Sequence, residues 1–456
     1  MEKAPSRSDL SDTDRADETV EIVEESKKQL EANGPLADPA PILTATATGS
    51  APPGPPPDGG LQAWLQVLGS AAILVNTWGL INSFGVFQAF YEMNILKDRP
   101  PSDISWIGSL QASLLFFTGV FSGGLYDAGY FRTLVVVGLF LIVFGMFMTS
   151  LCYAYWQFLL AQGICVGVGM GLVFLPSAAI LSQYFARHRA LVLGISSAGS
   201  PVAGIVIPII FSRLEPQIGF GWTTRVIAFI LLVFSAIPIA FMRTRLPPSG
   251  RRTQILDPSA FRDLPYMTFT IAGFFSFLTL YVPFFYIAVF ANTYQVTTTD
   301  FAPYLVTLLN AGSVFGRIIP NALADRWGAL NVMIFCMIGS TVVAFGWLGV
   351  KNLAGSVVFT LLYGALSGGV VSLTPTVIVG LSPDMSRVGV RMGMGFVVTG
   401  TSLLIGTPIA GAIVKGYSDT NWKGTIVYGA AGLLVSTVLY GTARVMVFKR
   451  QGGLKF

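Results

Sequence analysis

The sequence predicts an all-α membrane protein, with twelve transmembrane helices in two six-helix bundles. Three observations predict it. Of 456 residues, 53% are hydrophobic and only 11% are charged, against about 25% charged in an ordinary soluble domain, and the mean hydropathy is +0.66. From Trp64 onward, apolar runs follow one another, each near the roughly 20 residues that a helix needs to cross a bilayer core. A polar interval divides these runs six and six, and one loop element recurs at the same place in both halves.

Residues 1–57 hold five Lys/Arg and eleven Asp/Glu and close on "APPGPPP". So acidic a stretch, poor in aromatics, cannot bury enough apolar surface to offset its ordering entropy, and it reads as a disordered cytoplasmic tail. Its charged start carries no early apolar core of the secretory-signal kind. The first bundle occupies 58–242, with spans near 65–90, 104–126, 133–152, 157–182, 190–212 and 223–242. Residues 243–265, with Arg243, Arg245, Arg251, Arg252 and Arg262, form a basic cytoplasmic linker. The second bundle occupies 266–448, with spans near 266–291, 302–323, 330–350, 355–378, 391–414 and 424–447, before a short tail, 449–456. With both termini cytoplasmic, fifteen basic residues fall on the inner face and seven on the outer, Arg317 set aside. That asymmetry is the positive-inside pattern, and it accounts for a pI near 9.0 without nucleic acid.

Several chemistries are excluded. Cys152, Cys165 and Cys336 lie in apolar stretches, and His188 is the only histidine. No disulfide framework, metal site, cofactor or hydrolase triad follows, and no paired carboxylates lie within the spans, so the chain does not read as an enzyme. "GVGMG" sits inside an apolar span with no strand before it, and no G-x-x-x-x-G-K-[ST] loop is present, which argues against nucleotide binding and an ATP-driven pump.

The repeated loop element is "GGLYDAGYFR" (123–132) after the second span and "NALADRWGAL" (321–330) after the eighth. Asp127 with Arg132, and Asp325 with Arg326, stand at helix ends where charge-assisted bonds can latch neighbouring helices. In the fourth span Gly163, Gly167 and Gly171 share one face, which should pack closely on another helix. Pro176, Pro201, Pro283, Pro375 and Pro408 lie within spans and are expected to kink them.

Arg317 is the one clearly intramembrane charge. Lying eight residues before Asp325, it sits roughly 12 Å inward along a helix. Asn310, Ser313, Arg317, Asn321 and Asp325 recur every three or four residues and form one polar stripe. An arginine facing lipid at mid-helix costs about 2.5–3.5 kcal/mol, so the stripe should face a wet central cavity. Three roles fit Arg317: binding a substrate carboxylate, forming a gating ion pair, or snorkelling to the inner face. Asn76, Gln88, Gln111, Tyr281 and Tyr286 are further cavity candidates, each equally able to make a helix–helix hydrogen bond.

"DGGLQAW" (58–64), "GVGMGLVFLPSAAILSQYFARHRALVLGISSAGSPVAG" (167–204), "YVPFFYIAVFA", "GRIIPNALADR" and "GTPIAG" resemble the major facilitator superfamily, and within it the fungal branch of the monocarboxylate porter family. The resemblance covers about residues 58–448. It implies the major facilitator fold and a secondary-active transporter with a small-molecule substrate in a lipid bilayer. It also implies that an arginine at the position of Arg317 meets the substrate anion. Proton-coupled animal members carry an acidic residue where Ser313 stands and a lysine at the position of Asn82. Both groups are absent here, which tells against proton–lactate symport and tilts the reading towards export of a fungal secondary metabolite, with protons still a candidate coupling ion. Import of a monocarboxylate or vitamin, and a non-transporting sensor on the same fold, are the alternatives. The expected substrate or gate residues are Arg317, Asn310, Ser313, Asn82 and Tyr286. Glu92 is a weaker candidate proton carrier that also reads as a solvated helix end. The plasma membrane is the expected address, with a vacuolar or other internal membrane the alternative.

Overall fold

The computed structural model describes residues 56–186, 189–246, 256–298, 300–382 and 388–451. The expected acidic tail through residue 55, and the loop arginines Arg187, Arg251, Arg252 and Arg387, lie outside those residues. The described chain is helical throughout. Eleven of its helical stretches are long and apolar enough to cross a membrane. Large apolar side chains such as Phe140, Val233, Phe335 and Val438 stand exposed on the outside; a helix bundle meeting lipid has no reason to bury them.

The first span is a chain of short helices. Helix α1 (Leu61–Asn76) ends where Thr77 leaves the helical region (φ −106°, ψ −90°); α2 (Trp78–Asn82), α3 (Phe84–Phe90) and a π-helical turn, Tyr91–Ile95, continue it. Helix α4 (Pro101–Asp127) opens on Pro101, whose missing N–H costs nothing in a first turn. After α5 (Phe131–Thr149) come α6 (Tyr155–Phe158), a π-helical segment Leu159–Cys165 and α7 (Val166–Tyr184). Then α8 (Arg189–Ser197) leads into α9 (Gly199–Phe241). Sequence periodicity places a loop between two spans near 213–222. The structure instead keeps helix on both sides of one residue, Gly219, whose backbone (φ 73°, ψ 166°) leaves the helix. At 1.5 Å per residue, 43 residues would reach roughly 65 Å, about twice a bilayer core, so a single straight span is ruled out.

The second half opens with a 3₁₀ turn (Pro258–Arg262) inside the expected linker, capped by Asp257, whose side chain accepts from the Ser259 N–H. It continues through α10 (Leu264–Leu280), α11 (Val282–Thr293), α12 (Ala302–Trp327), α13 (Ala329–Gly346), α14 (Leu353–Leu381), α15 (Val388–Val414) and α16 (Asp419–Gln451). Tyr281 divides α10 from α11 just before Pro283, as Thr77 divides α1 from α2. Of the five prolines expected to kink spans, Pro283 follows the break at Tyr281 and Pro201 the one at Ala198; helix continues through Pro176, Pro375 and Pro408.

Small residues set the helix spacing. A Cβ on Gly316 would lie 1.9 Å from the Ala365 carbonyl oxygen, and one on Gly364 1.9 Å from that of Leu309. Helices α12 and α14 therefore meet backbone to backbone, as small-residue motifs allow in lipid. The Gly163/Gly167/Gly171 face lies against α4 in the same manner, with Gly171 at the Leu114 carbonyl. Both repeated loops turn on a glycine of positive φ, Gly129 (95°) and Gly328 (89°), a conformation a Cβ would oppose. The halves of the chain meet through α4 on α15, α8 and α9 on α12, and α3 on α11.

Candidate substrate cavity

Between the halves lies a cavity of about 950 Å³. Asp127 and Asp325, the acids of the two repeated loops, line its mouth. Trp78, Phe116, Phe174, Arg317 and Phe396 lie at its deepest level. On α12 the lining runs from Asp325 inward and stops at Arg317, two helical turns deeper.

Arg317 is 4% exposed. Its Nε donates to Ser313 Oγ (3.4 Å) and its Nη1 to the Ser197 carbonyl of α8 (3.3 Å), so it reaches across the two halves. Neither contact carries a negative charge, and none of the ion pairs among the described residues includes Arg317. A buried guanidinium left without an anion is costly. The arrangement therefore leaves donors directed at whatever negative group enters the cavity.

The other stripe residues are placed differently. Ser313 supports Arg317 from behind and lies against Gly368 of α14. Asn321 donates to the Arg317 carbonyl (2.6 Å) and to Ser372 Oγ (2.8 Å). Asn310 and Asn82 are fully buried beyond the cavity floor. Asn310 Nδ2 points at the Asn82 carbonyl (3.4 Å) and Asn82 Nδ2 donates to Ser200 Oγ (3.0 Å). Gly204 makes room for Asn310, since a Cβ there would lie 2.2 Å from its Oδ1. Tyr286 lies farther still from the mouth. Its hydroxyl pairs with Ser105 Oγ of α4 and donates to the Thr407 carbonyl of α15 (3.3 Å). Of the five expected substrate or gate residues, only Arg317 borders the cavity; Asn82, Asn310 and Tyr286 belong to the contact between halves that closes the far end. Asn76 is also no cavity residue, because it bonds α9 through Ser235 Oγ (2.8 Å).

That far end is sealed. Phe84 meets Phe285 (ring centroids 4.9 Å) and Ser109 Oγ meets Thr407 Oγ1 (2.6 Å). Glu92 is half-buried rather than solvated. It accepts from Gln88 Nε2 on its own helix and from the Tyr417 hydroxyl of the second half (2.6 Å). Burial, and then the Glu92 carboxylate, push the Tyr417 hydroxyl well above the ordinary tyrosine value, so it remains a donor throughout the physiological range.

At the mouth end Arg132, Asp325 and Arg326 are exposed, and none of them joins an ion pair among the described residues. A residue that the sequence offers only as a loop charge proves buried: Arg391 is 1% exposed and pairs with Asp257 (3.1 Å) and Asp263 (2.7 Å). Tyr266 donates to the Arg391 carbonyl (2.6 Å) and offers its ring to the guanidinium. In the first half Asp58 of the "DGG" stretch accepts from the Ala186 N–H (2.6 Å), so an acid preceding each half's first long helix ties it to a neighbour. The cavity aromatics also escape sequence reading, because a ring in an apolar span leaves no polar period to detect.

Residues 61–348 match the model of the Major Facilitator Superfamily. The chain belongs to that superfamily. Similar members include the MFS-type transporter dbaD of Emericella nidulans, 45% identical over 83% of this chain and 85% of its own length. The aspyridones efflux protein apdF of the same species is 35% identical over 87% and 81%. The MFS transporter asaE of Aspergillus flavus is 37% identical over 87% and 91%. As a member of the superfamily the chain is a multi-pass membrane transporter with a small-molecule substrate, and not an enzyme.

Proposed function

We propose that the chain exports an acidic organic metabolite by alternating access, driven by an ion or substrate gradient. One observation carries the reading: a buried arginine without an anionic partner among the described residues stands at the deep end of a cavity that is open at one side only. The efflux named for a relative of similar length supports the direction. In this reading Gly219 separates two spans, which makes twelve in two six-helix bundles, and the termini and the cavity mouth face the cytoplasm, as the basic loops favour. The cargo enters from the cytoplasm, its anion meets Arg317, and the halves rock until the mouth closes and the sealed layer parts. Asp127, Arg132, Asp325 and Arg326 then come together as the inner latch. The motifs quoted above favour the monocarboxylate porter branch and the plasma membrane. If protons are the coupling ion, Glu92 is the carboxylate placed to carry them.

The test is untargeted mass spectrometry of cells and medium from a strain lacking the protein and from its parent. Export predicts a metabolite retained in the deleted cells and depleted from their medium. A compound left unconsumed in the medium and depleted inside would establish uptake instead, and fluorescent tagging would show which membrane holds the protein.

A further inference from the structure

We propose that the cavity selects flat, conjugated ring systems bearing a single anionic group, rather than short or aliphatic carboxylates. This rests on the reading of Arg317 as the anion site and adds the chemistry of everything around it.

Size comes first. A volume of about 950 Å³ lies at the upper end of the roughly 300–1,000 Å³ typical of sites for drug-sized ligands. A short-chain acid would leave most of it filled with water and most of its apolar wall without contact.

The wall is aromatic where the cavity is deepest. Trp78 lies nearly parallel to Tyr281 (centroids 6.0 Å, 25° between planes) and edge-on to Phe116 (5.6 Å, 68°) and Phe174 (6.0 Å, 72°). Phe396 continues the cluster from the second half, 4.9 Å from Phe116. Four of these rings, from α2, α4, α7 and α15, line the cavity as one patch spanning both halves, and Tyr281 is buried against Trp78. The same four rings and Arg317 line a single cavity. The patch and the guanidinium are therefore parts of one site. An aromatic wall favours a flat conjugated partner beyond the area it buries, because ring faces and ring edges carry opposite partial charge.

Charge sets the last limit. Among the described lining residues Arg317 is the one cation, and the two other charged groups, Asp127 and Asp325, are acids at the mouth. One guanidinium suits one carboxylate, enolate or phenolate. A second negative group would find no partner.

The test uses the purified full-length protein in lipid nanodiscs and isothermal titration with three probes of matched skeleton. They are anthracene-2-carboxylate, its fully hydrogenated counterpart and anthracene-2-carboxamide. The proposal expects the flat acid to bind about tenfold tighter than the hydrogenated acid. Trp78→Leu and Phe396→Leu should narrow that ratio, and Arg317→Ala should abolish the advantage of acid over amide. Equal binding of the two acids, both lost in Arg317→Ala, would overturn the ring preference while leaving the anion site intact. Acid and amide binding alike, with Arg317→Ala unchanged, would overturn the anion site itself. Absence of binding by all three probes to protein with a cooperative melting transition would overturn the proposed class.

Discussion

The two ends of the molecule are built from corresponding helices, yet one is shut and the other open. At the shut end α3 and α4 meet α11 and α15 through rings, hydroxyls and bare backbone. A Cβ on Gly85 would lie 2.1 Å from the Phe284 carbonyl oxygen, and one on Gly411 2.7 Å from the Ser102 nitrogen. At the open end the cavity lies between the halves, and the charged loop residues Arg132, Asp325 and Arg326 are exposed. The shut end thus depends on close approach, while the open end is held within each half, by Arg391 with Asp257 and Asp263 and by Asp58 with the Ala186 N–H. A transporter that alternates must break the first kind of contact in each cycle and keep the second. The bonds that cross the seal are accordingly few and neutral or singly charged, whereas the buried ion pairs lie on one side of the divide.

This contrast can be broken deliberately. The largest effect is expected at the floor between the ends. Arg317→Ala should lower transport by 100-fold or more, about 3 kcal/mol of lost charge-assisted bonding. Surface abundance should be unchanged, and Arg317→Lys should retain part of the flux. Full transport by Arg317→Ala would mean that the guanidinium only snorkels. Gly85→Val should prevent the seal from closing, because a backbone carbonyl occupies the space its side chain needs. A cysteine placed at Ser105 should then react with a membrane-impermeant maleimide from the far side much faster than in the chain with Gly85 intact. Unchanged labelling would show that the seal does not depend on this approach.

Arg391→Ala should act on stability rather than on the cycle. It removes the cation that Asp257 and Asp263 share, leaving Asp263 its pairing with the exposed Arg450 (3.3 Å), at a cost of about 3 kcal/mol, read as a lower melting temperature in detergent. Transport per folded molecule should stay close to normal; a loss of turnover without a loss of stability would make Arg391 part of the moving machinery. The smallest effect is expected at Tyr417→Phe, which removes one hydrogen bond across the seal, worth about 1 kcal/mol. It should shift the balance between shut and open by about fivefold and change flux only a few-fold. The Tyr417 hydroxyl stays a donor at pH 5 and pH 8 alike, so a difference in the effect of removing it between those values would report on the charge of its acceptor, Glu92.

Much of this was readable from residue order. Span length and hydropathy located the helices, since a bilayer imposes roughly 20 apolar residues on any helix that crosses it. The polar stripe of α12 pointed to Arg317 because a period of three to four residues is a geometric property of the helix itself. Tyr286, Asn82 and Asn310 were less readable. A polar side chain in an apolar span looks the same whether it faces a cavity or the other half of the chain. The breaks at Thr77 and Ser83 in the first span were unreadable because neither carries the proline that usually marks a break.

By itself the sequence determined the class of solvent, the run of helices, the basic asymmetry of the loops and the one charge inside the membrane, because each is a local property of composition or period. Only the tertiary structure decided which end is shut and that Arg391 is buried among acids more than a hundred residues away. It also decided that four rings from distant helices line one cavity with Arg317. Those facts depend on which helices meet, and helix contacts in lipid are set by small residues and shape rather than by any pattern along a single strand of sequence.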